Sequence, residues 1–206
     1  SRIWSYGHKR AHHNKVHRPW SGADPNLTGK RVGHLSRSGL FGGTFNPVHL
    51  GHLRVAEEVR ERFGFNTICF IPAANPPHKQ DKPIAPARDR YRMLTRATAD
   101  NDAFTVSDVE IRRSGRSYTI DTIKEISAAA SAPAEYFLIL GIDAFLEIDT
   151  WKNYQALFEK VPFIVISRPP AGSSQPFKGL SQLIAEKISP QYAYHQADRC
   201  YKHPWN

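Results

Sequence analysis

Two histidines three residues apart, His49 and His52, close an eleven-residue run: Gly42-Gly43-Thr44-Phe45-Asn46-Pro47-Val48-His49-Leu50-Gly51-His52. Its residue types suit phosphate chemistry. A glycine pair after an apolar lead (Leu40, Phe41) admits close approaches that a Cβ blocks, so a ligand can lie against bare N–H groups. Asn46 is a preferred N-cap, and Pro47 suits the first helical position. The free N–H groups and positive dipole end of the helix that follows then face an anion. At i and i+3, both histidines leave one face of the first turn, and Gly51 keeps that turn low. Imidazoles placed there can stabilise charge on a transferring phosphate. The same pair could be half of a zinc site, but no HExxH pattern and no third ligand stand nearby, so no metal site is assigned.

The elements that must hold this turn alternate. Leu50, Leu53, Ala56, Val59 and Phe63 recur at helical steps, and Gly64 ends that helix. Thr67–Ile71 reads as a buried strand, ended by Pro72 and followed by the stiff basic loop Ala73–Lys79. Arg88–Ala99 reads as a helix with Tyr91 and Leu94 inward. Phe104–Ser107 and Val109–Ile111 read as a strand or a bent pair. Ser117-Tyr118-Thr119 caps a helix with the stripe Ile120, Ile123, Ile126. Glu135–Leu140 and Phe163–Ile166 are further strands with short helices between them, and Ser181–Ile188 is a last helix. This spacing predicts an α/β fold: a single-domain, Rossmann-like, doubly wound and mostly parallel sheet with helices on both faces. Ligands of such sheets bind outside the carboxyl ends of the strands. The Gly42–His52 turn, Asn75–Lys79, Gly141–Asp143 and Ser167–Arg168 all fall there.

Charge and cysteines narrow the function classes. The 206 residues carry a formal net charge of +9, which invites a nucleic-acid reading. Residues 1–39, however, hold eight Lys/Arg and one acid, and so carry seven of those nine charges. The remainder is nearly neutral, and basicity says little about the site. Residues 1–38 are rich in histidine, poor in aliphatics and without a period. They are expected to be a disordered basic extension, with the domain proper over 39–206. The chain begins at Ser1 and its single methionine is Met93, so it is not expected to begin at an initiator. Cys69 and Cys200 form no framework, which fits a cytoplasmic protein. No stretch approaches 18 apolar residues or resembles a signal peptide.

GGTFNPVHLGH followed by IPAANPPHK, RSYTIDTI, LILGIDAF, TWKNY and VISRP resembles bacterial nicotinate-nucleotide adenylyltransferase, in family order, from about Leu40 to Pro169. His49-Leu50-Gly51-His52 matches the (H/T)xGH signature of the wider nucleotidyltransferase superfamily. The resemblance implies that ATP and nicotinate mononucleotide give nicotinate adenine dinucleotide and pyrophosphate, with Mg²⁺ accompanying ATP, as a step of NAD synthesis. It implies that His49 and His52 contact the ATP phosphates, His52 in the transition-state role. Gly42, Gly43, Thr44 and Phe45 would supply backbone and walls. Gly141 and Asp143 match the ATP-side GxD, with Asp143 toward ribose, and Ser167 and Arg168 would lie near the adenosine. The mononucleotide pocket carries over to Asn46, His78, Lys79, Tyr118 and Thr119, with Trp151 stacking on the pyridine ring. Neither nucleic acid nor a membrane is an expected partner, and a homo-oligomer stays open.

The family's ISSTxxR phosphate motif does not follow the VISRP strand. The chain is therefore expected to be incomplete at its C-terminus, and as given to turn over weakly or not at all. Alternatives are a transferase for nicotinamide mononucleotide or phosphopantetheine, an inactive nucleotide-binding fragment, or an RNA-binding protein using the basic arm.

Overall fold

The computed structural model describes residues 2–7, 35–75, 83–167, 180–187, 193–195 and 200–202. In chain order the elements are β1 (Arg2–Gly7), β2 (Ser36–Gly43), α1 (Leu50–Phe63), β3 (Thr67–Pro72), α2 (Ala87–Thr98), β4 (Phe104–Val106), α3 (Val109–Arg112) and α4 (Thr119–Ala129). They continue with β5 (Ala134–Gly141), α5 (Ile142–Leu146), a 3₁₀ turn (Ile148–Thr150), α6 (Tyr154–Lys160), β6 (Phe163–Ser167), α7 (Leu180–Lys187), β7 (Ala193–His195) and β8 (Cys200–Lys202).

The strands form one sheet in the order β4-β3-β2-β5-β6-β1-β8-β7. The six from β4 to β1 are parallel, and β8 and β7 add on antiparallel. Strands buried on both faces read as near-continuous apolar runs, and β3, β5 and β6 do so: TICFIP, AEYFLILG, FIVIS. Alternate side chains feed two cores. Leu40, Leu138, Leu140, Phe163 and Val165 point to one face and join Val109, Ile120, Ile123, Phe145, Leu157 and Ile184. Phe41, Ile68, Phe70, Ile139 and Ile164 point to the other and join Ala56 and Val59 of α1 and Leu94 of α2. Gly39 on central β2 is required by packing: a Cβ there would stand 2.6 Å from Ile139 Cδ1 and 2.7 Å from Ile68 Cδ1. Gly64 ends α1 in the left-handed region at φ +62°.

Three expectations change. Helix α1 begins at Leu50 with His49 as its N-cap residue, so Asn46 does not cap it and Pro47 does not open it. The Asn46 amide is used elsewhere: Nδ2 donates to the Pro83 carbonyl at 3.2 Å and Oδ1 accepts from the Ala85 N–H at 3.1 Å. Val109–Arg112 is a turn of helix rather than a strand. Pairing with β3 stops once the Ser107 N–H reaches Phe70 O, and the Asp108–Arg112 ion pair (3.0 Å, i to i+4) closes the turn. Finally, Arg2–Gly7 and Ser36–Ser38 belong to the sheet, so residues 1–38 are not wholly outside the fold. The local β-formers Ile3, Trp4 and Tyr6 outweigh the segment's average composition.

Phe163 is fully buried, stacked on Phe158 at 4.4 Å and edge-on to Phe145. Phe163→Ala should lower unfolding free energy by about 3–5 kcal/mol in urea titrations, from lost burial and the cavity left behind.

Candidate functional site

In a doubly wound sheet the ligand crevice opens where consecutive connections run in opposite directions from neighbouring strands. Here that place lies between β2, which leads to β3, and β5, which leads to β6. Their carboxyl ends carry Gly42-Gly43 and Gly141. Gly42 and Gly141 are exposed, and a Cβ on either would meet nothing within 4 Å, so both leave bare backbone facing the crevice. Asp143 stands exposed in the first turn of α5. Ser167 ends β6 beside this edge.

Past Gly43 the chain turns sharply. Phe45 takes a positive φ of 48° and is buried under the turn. Its ring lies 5.1 Å from the His52 ring and 5.6 Å from Phe41, so aromatic packing seats the imidazole. His49 and His52 stack at 3.8 Å. The His49 backbone N–H donates to His52 Nδ1 at 3.3 Å. The first turn of the 14-residue α1 contains no acidic residue, which leaves its positive end uncompensated. A Cβ on Gly51 would stand 3.1 Å from the exposed His49 ring, which would have to give way slightly.

The other wall is the loop after β3. The Ala73 N–H donates to Gly43 O at 2.9 Å, one step beyond the strand pairing. Ser117 Oγ then accepts from the Ala74 and Asn75 N–H groups at 3.2 and 3.3 Å, and Asn75 Nδ2 donates to Gly115 O at 2.9 Å. These bonds bring the start of α4, with Tyr118 and Thr119, to the same end of the sheet. Tyr118 occupies the N-cap position, yet no side chain caps that helix. Trp151 follows the 3₁₀ turn, half-buried against the α4-side core. Its neighbour Lys152 lies 4.6 Å over the Tyr118 ring and 2.9 Å from Asp121 Oδ2, and so ties that turn to α4. The Lys152 ammonium holds the Asp121 carboxyl below its ordinary pKa.

Arg90 was expected on no site list, yet it is 1 % exposed and reaches both walls, donating to Thr44 O at 2.6 Å and Ala73 O at 2.7 Å. Its signal was the spacing Arg90, Leu94, Thr98, which places it on the buried stripe of α2. Ser117 and Lys152 were likewise missed as tethers. Asn46, expected against the mononucleotide, spends its amide on Pro83 and Ala85. His78, Lys79 and Arg168 lie outside the described residues. An open cleft of about 930 Å³, lined by Arg37, Ser131, Tyr136 and Lys160 among others, sits at the opposite, amino end of the strands and contains none of the expected site residues.

Comparison with known proteins agrees with this arrangement. Residues 40–198 match the cytidylyltransferase-like family. The probable nicotinate-nucleotide adenylyltransferase of Geobacter metallireducens is 42% identical over 167 residues, covering 81% of this chain and 75% of that protein. That of Geotalea uraniireducens is 44% identical over 168 residues, covering 80% and 74%. Among solved structures, Plasmodium falciparum nicotinic acid mononucleotide adenylyltransferase complexed with NaAD shares the fold at a TM-score of 0.57 and 19% identity, covering 72% of this chain and 71% of that one.

Lys152→Met should raise the Asp121 pKa toward its ordinary value in a carbon-13 pH titration. Because the folded value is depressed, the pair stabilises the protein above about pH 4 and loses that contribution as pH falls through the depressed value. Both partners are part-exposed, so the difference in stability between variant and wild type should stay below about 1 kcal/mol and disappear in acid.

Proposed function

The chain belongs to the cytidylyltransferase-like family as a nicotinate-nucleotide adenylyltransferase, and we propose that adenylyl transfer takes place over the His49–His52 turn. An oxygen of the nicotinate mononucleotide phosphate attacks the α-phosphorus of ATP. The α–β anhydride bond breaks, pyrophosphate leaves, and the new anhydride is that of nicotinate adenine dinucleotide. The attacking phosphate is largely ionised near neutral pH, with a second pKa of about 6, so no side chain has to remove a proton. The protein's work is alignment and charge stabilisation.

One observation carries this reading. His52 Nδ1 accepts the His49 N–H, which seats the imidazole beside the positive end of α1. A seated imidazole at a helix N-terminus suits the charge that builds on the α-phosphate oxygens and on the departing pyrophosphate. We assign His49 a contact to the same phosphates, and Gly42, Gly43, Thr44 and Phe45 the floor of the cradle. Gly141 and Asp143 across the crevice suit the ribose side, and Ser167 and Arg168 the adenosine. Tyr118, Thr119 and Trp151 suit the pyridine ring, with His78 and Lys79 at its phosphate. Asn46 serves by holding residues 83–85.

Among the described residues no group of three or more His, Cys, Asp or Glu side chains is placed to hold a metal. Mg²⁺ would come with ATP as its counter-ion. Bound so, it would offset phosphate charge. No helix among the described residues is long and apolar enough to cross a membrane. We propose a cytoplasmic enzyme whose partners are its nucleotides, with self-association left to light scattering.

The test is pyrophosphate release from ATP with nicotinate mononucleotide, nicotinamide mononucleotide or phosphopantetheine. The acid mononucleotide should react fastest, and a preference for either other acceptor would sink the substrate assignment. His52→Ala should lower kcat about 10²–10³-fold, and full activity in that variant would overturn the role given to His52. Trp151→Ala should raise KM for the mononucleotide roughly tenfold with little change for ATP.

A further inference from the structure

Where β2 and β3 separate to open the site, their ladder ends. Gly43 pairs with Pro72, the Ala73 N–H still reaches Gly43 O, and beyond that no backbone donor among the described residues joins the two walls. A single side chain takes over. Arg90 of α2 donates through Nη1 to Thr44 O (2.6 Å), through Nη2 to Ala73 O (2.7 Å) and Ala74 O (3.3 Å), and through Nε to Ala85 O (2.8 Å). All four acceptors are main-chain carbonyls. They belong to three segments: the phosphate turn, the loop after β3, and the residues entering α2, which Asn46 also grips.

A guanidinium is rigid and planar, and its donors point in fixed directions. Bonded to Thr44 on one side and Ala73–Ala74 on the other, it works as a spacer between the two walls. It is completely enclosed, and burial lowers its pKa while Glu110 opposes that shift. Glu110 is itself buried: Oε1 receives the Thr122 hydroxyl at 2.8 Å, and Oε2 has no hydrogen-bond partner among the described residues. Enclosing a cation against neutral carbonyls is costly compared with an apolar side chain of the same volume. A purely structural plug would not need the charge or the fork.

We propose that Arg90 is a positioning residue for adenylyl transfer, fixing the separation between the ATP cradle at Thr44–Phe45 and the acceptor-side loop at Ala73–Asn75. This rests on the assignment of those two walls to the two substrates. In-line attack is sensitive to such spacing, and a misplacement of about 1 Å can cost about 10²-fold in rate. Arg90 touches neither substrate; it acts through the carbonyls it holds.

The experiment compares wild type, Arg90→Lys, Arg90→Gln and, as a control for lost packing in the same helix, Leu94→Ala. Lysine keeps the charge but not the fork, and glutamine keeps amide donors without the charge. Two readouts are taken at matched folded fraction: pyrophosphate release under saturation with both substrates, and amide hydrogen exchange at Phe45, Asn46, Ala74 and Asn75. Arg90→Lys should lower kcat about 10²-fold with KM values changed less than about threefold. Its four amides should exchange faster than in Leu94→Ala, whose kcat per folded molecule should match wild type. If Arg90→Lys does not fold, Arg90→Gln supplies the same comparison. Exchange at those amides no faster than in the Leu94→Ala control, or a kcat within about threefold of wild type, would overturn the proposal. Wild type inactive with every acceptor, together with faster exchange in the Arg90 variant, would reject the functional reading while leaving Arg90 as the spacer.

Discussion

A parallel sheet can bind a ligand at its carboxyl edge only if its strands part there, and each carbonyl that leaves the ladder must find another donor. Much of this structure answers that constraint. The separation of β2 from β3 is accompanied by Arg90 on Thr44 and Ala73–Ala74, by Ser117 on the Ala74 and Asn75 N–H groups, and by Asn46 on residues 83–85. Each tether is a side chain from a neighbouring segment. These tethers hold the crevice open, and Gly42 and Gly141 keep exposed, bare backbone at its edge.

The electrostatics of the site follow the same economy. Helix α1 keeps its first turn free of acids, and the two imidazoles stand at its positive end. Asp121, in the first turn of α4, is committed to Lys152. Asp143, by contrast, stands exposed in the first turn of α5 at the crevice edge. The edge-on Phe45 ring, stacking on His49 and the bond to Nδ1 restrict the His52 ring.

The parts of this arrangement that were legible in the amino-acid order are those with a repeating physical signature. The apolar runs of β3, β5 and β6, the stripe Leu53, Ala56, Val59 and Phe63 of α1 and the glycine–histidine turn declared themselves, because burial on two faces or one is written at a fixed period, whereas Leu50, expected on that stripe, is 83 % exposed in the first turn. The tethers were not legible, since they depend on contacts between distant segments. Asn46 satisfies the cap rule as well as any residue, yet its amide meets residues 83–85 before it meets a helix. Arg90 looks like an ordinary surface arginine until Leu94 and Thr98 are placed on the same stripe. Val-Glu-Ile at 109–111 is too short for either period to decide, and the chain there closes a helical turn on the Asp108 carbonyl once pairing with β3 has ended.

Strand β1 carries a consequence for how the sheet is assembled. Ile3–Gly7 lie parallel to Phe163–Ser167, so the partners of this ladder are 160 residues apart in the chain. Closing so large a loop is entropically expensive and slow compared with the local β2–α1–β3 unit. The phosphate turn and its two flanking strands need only local closures, so the site-bearing half of the sheet forms early and the β1–β6 ladder closes late.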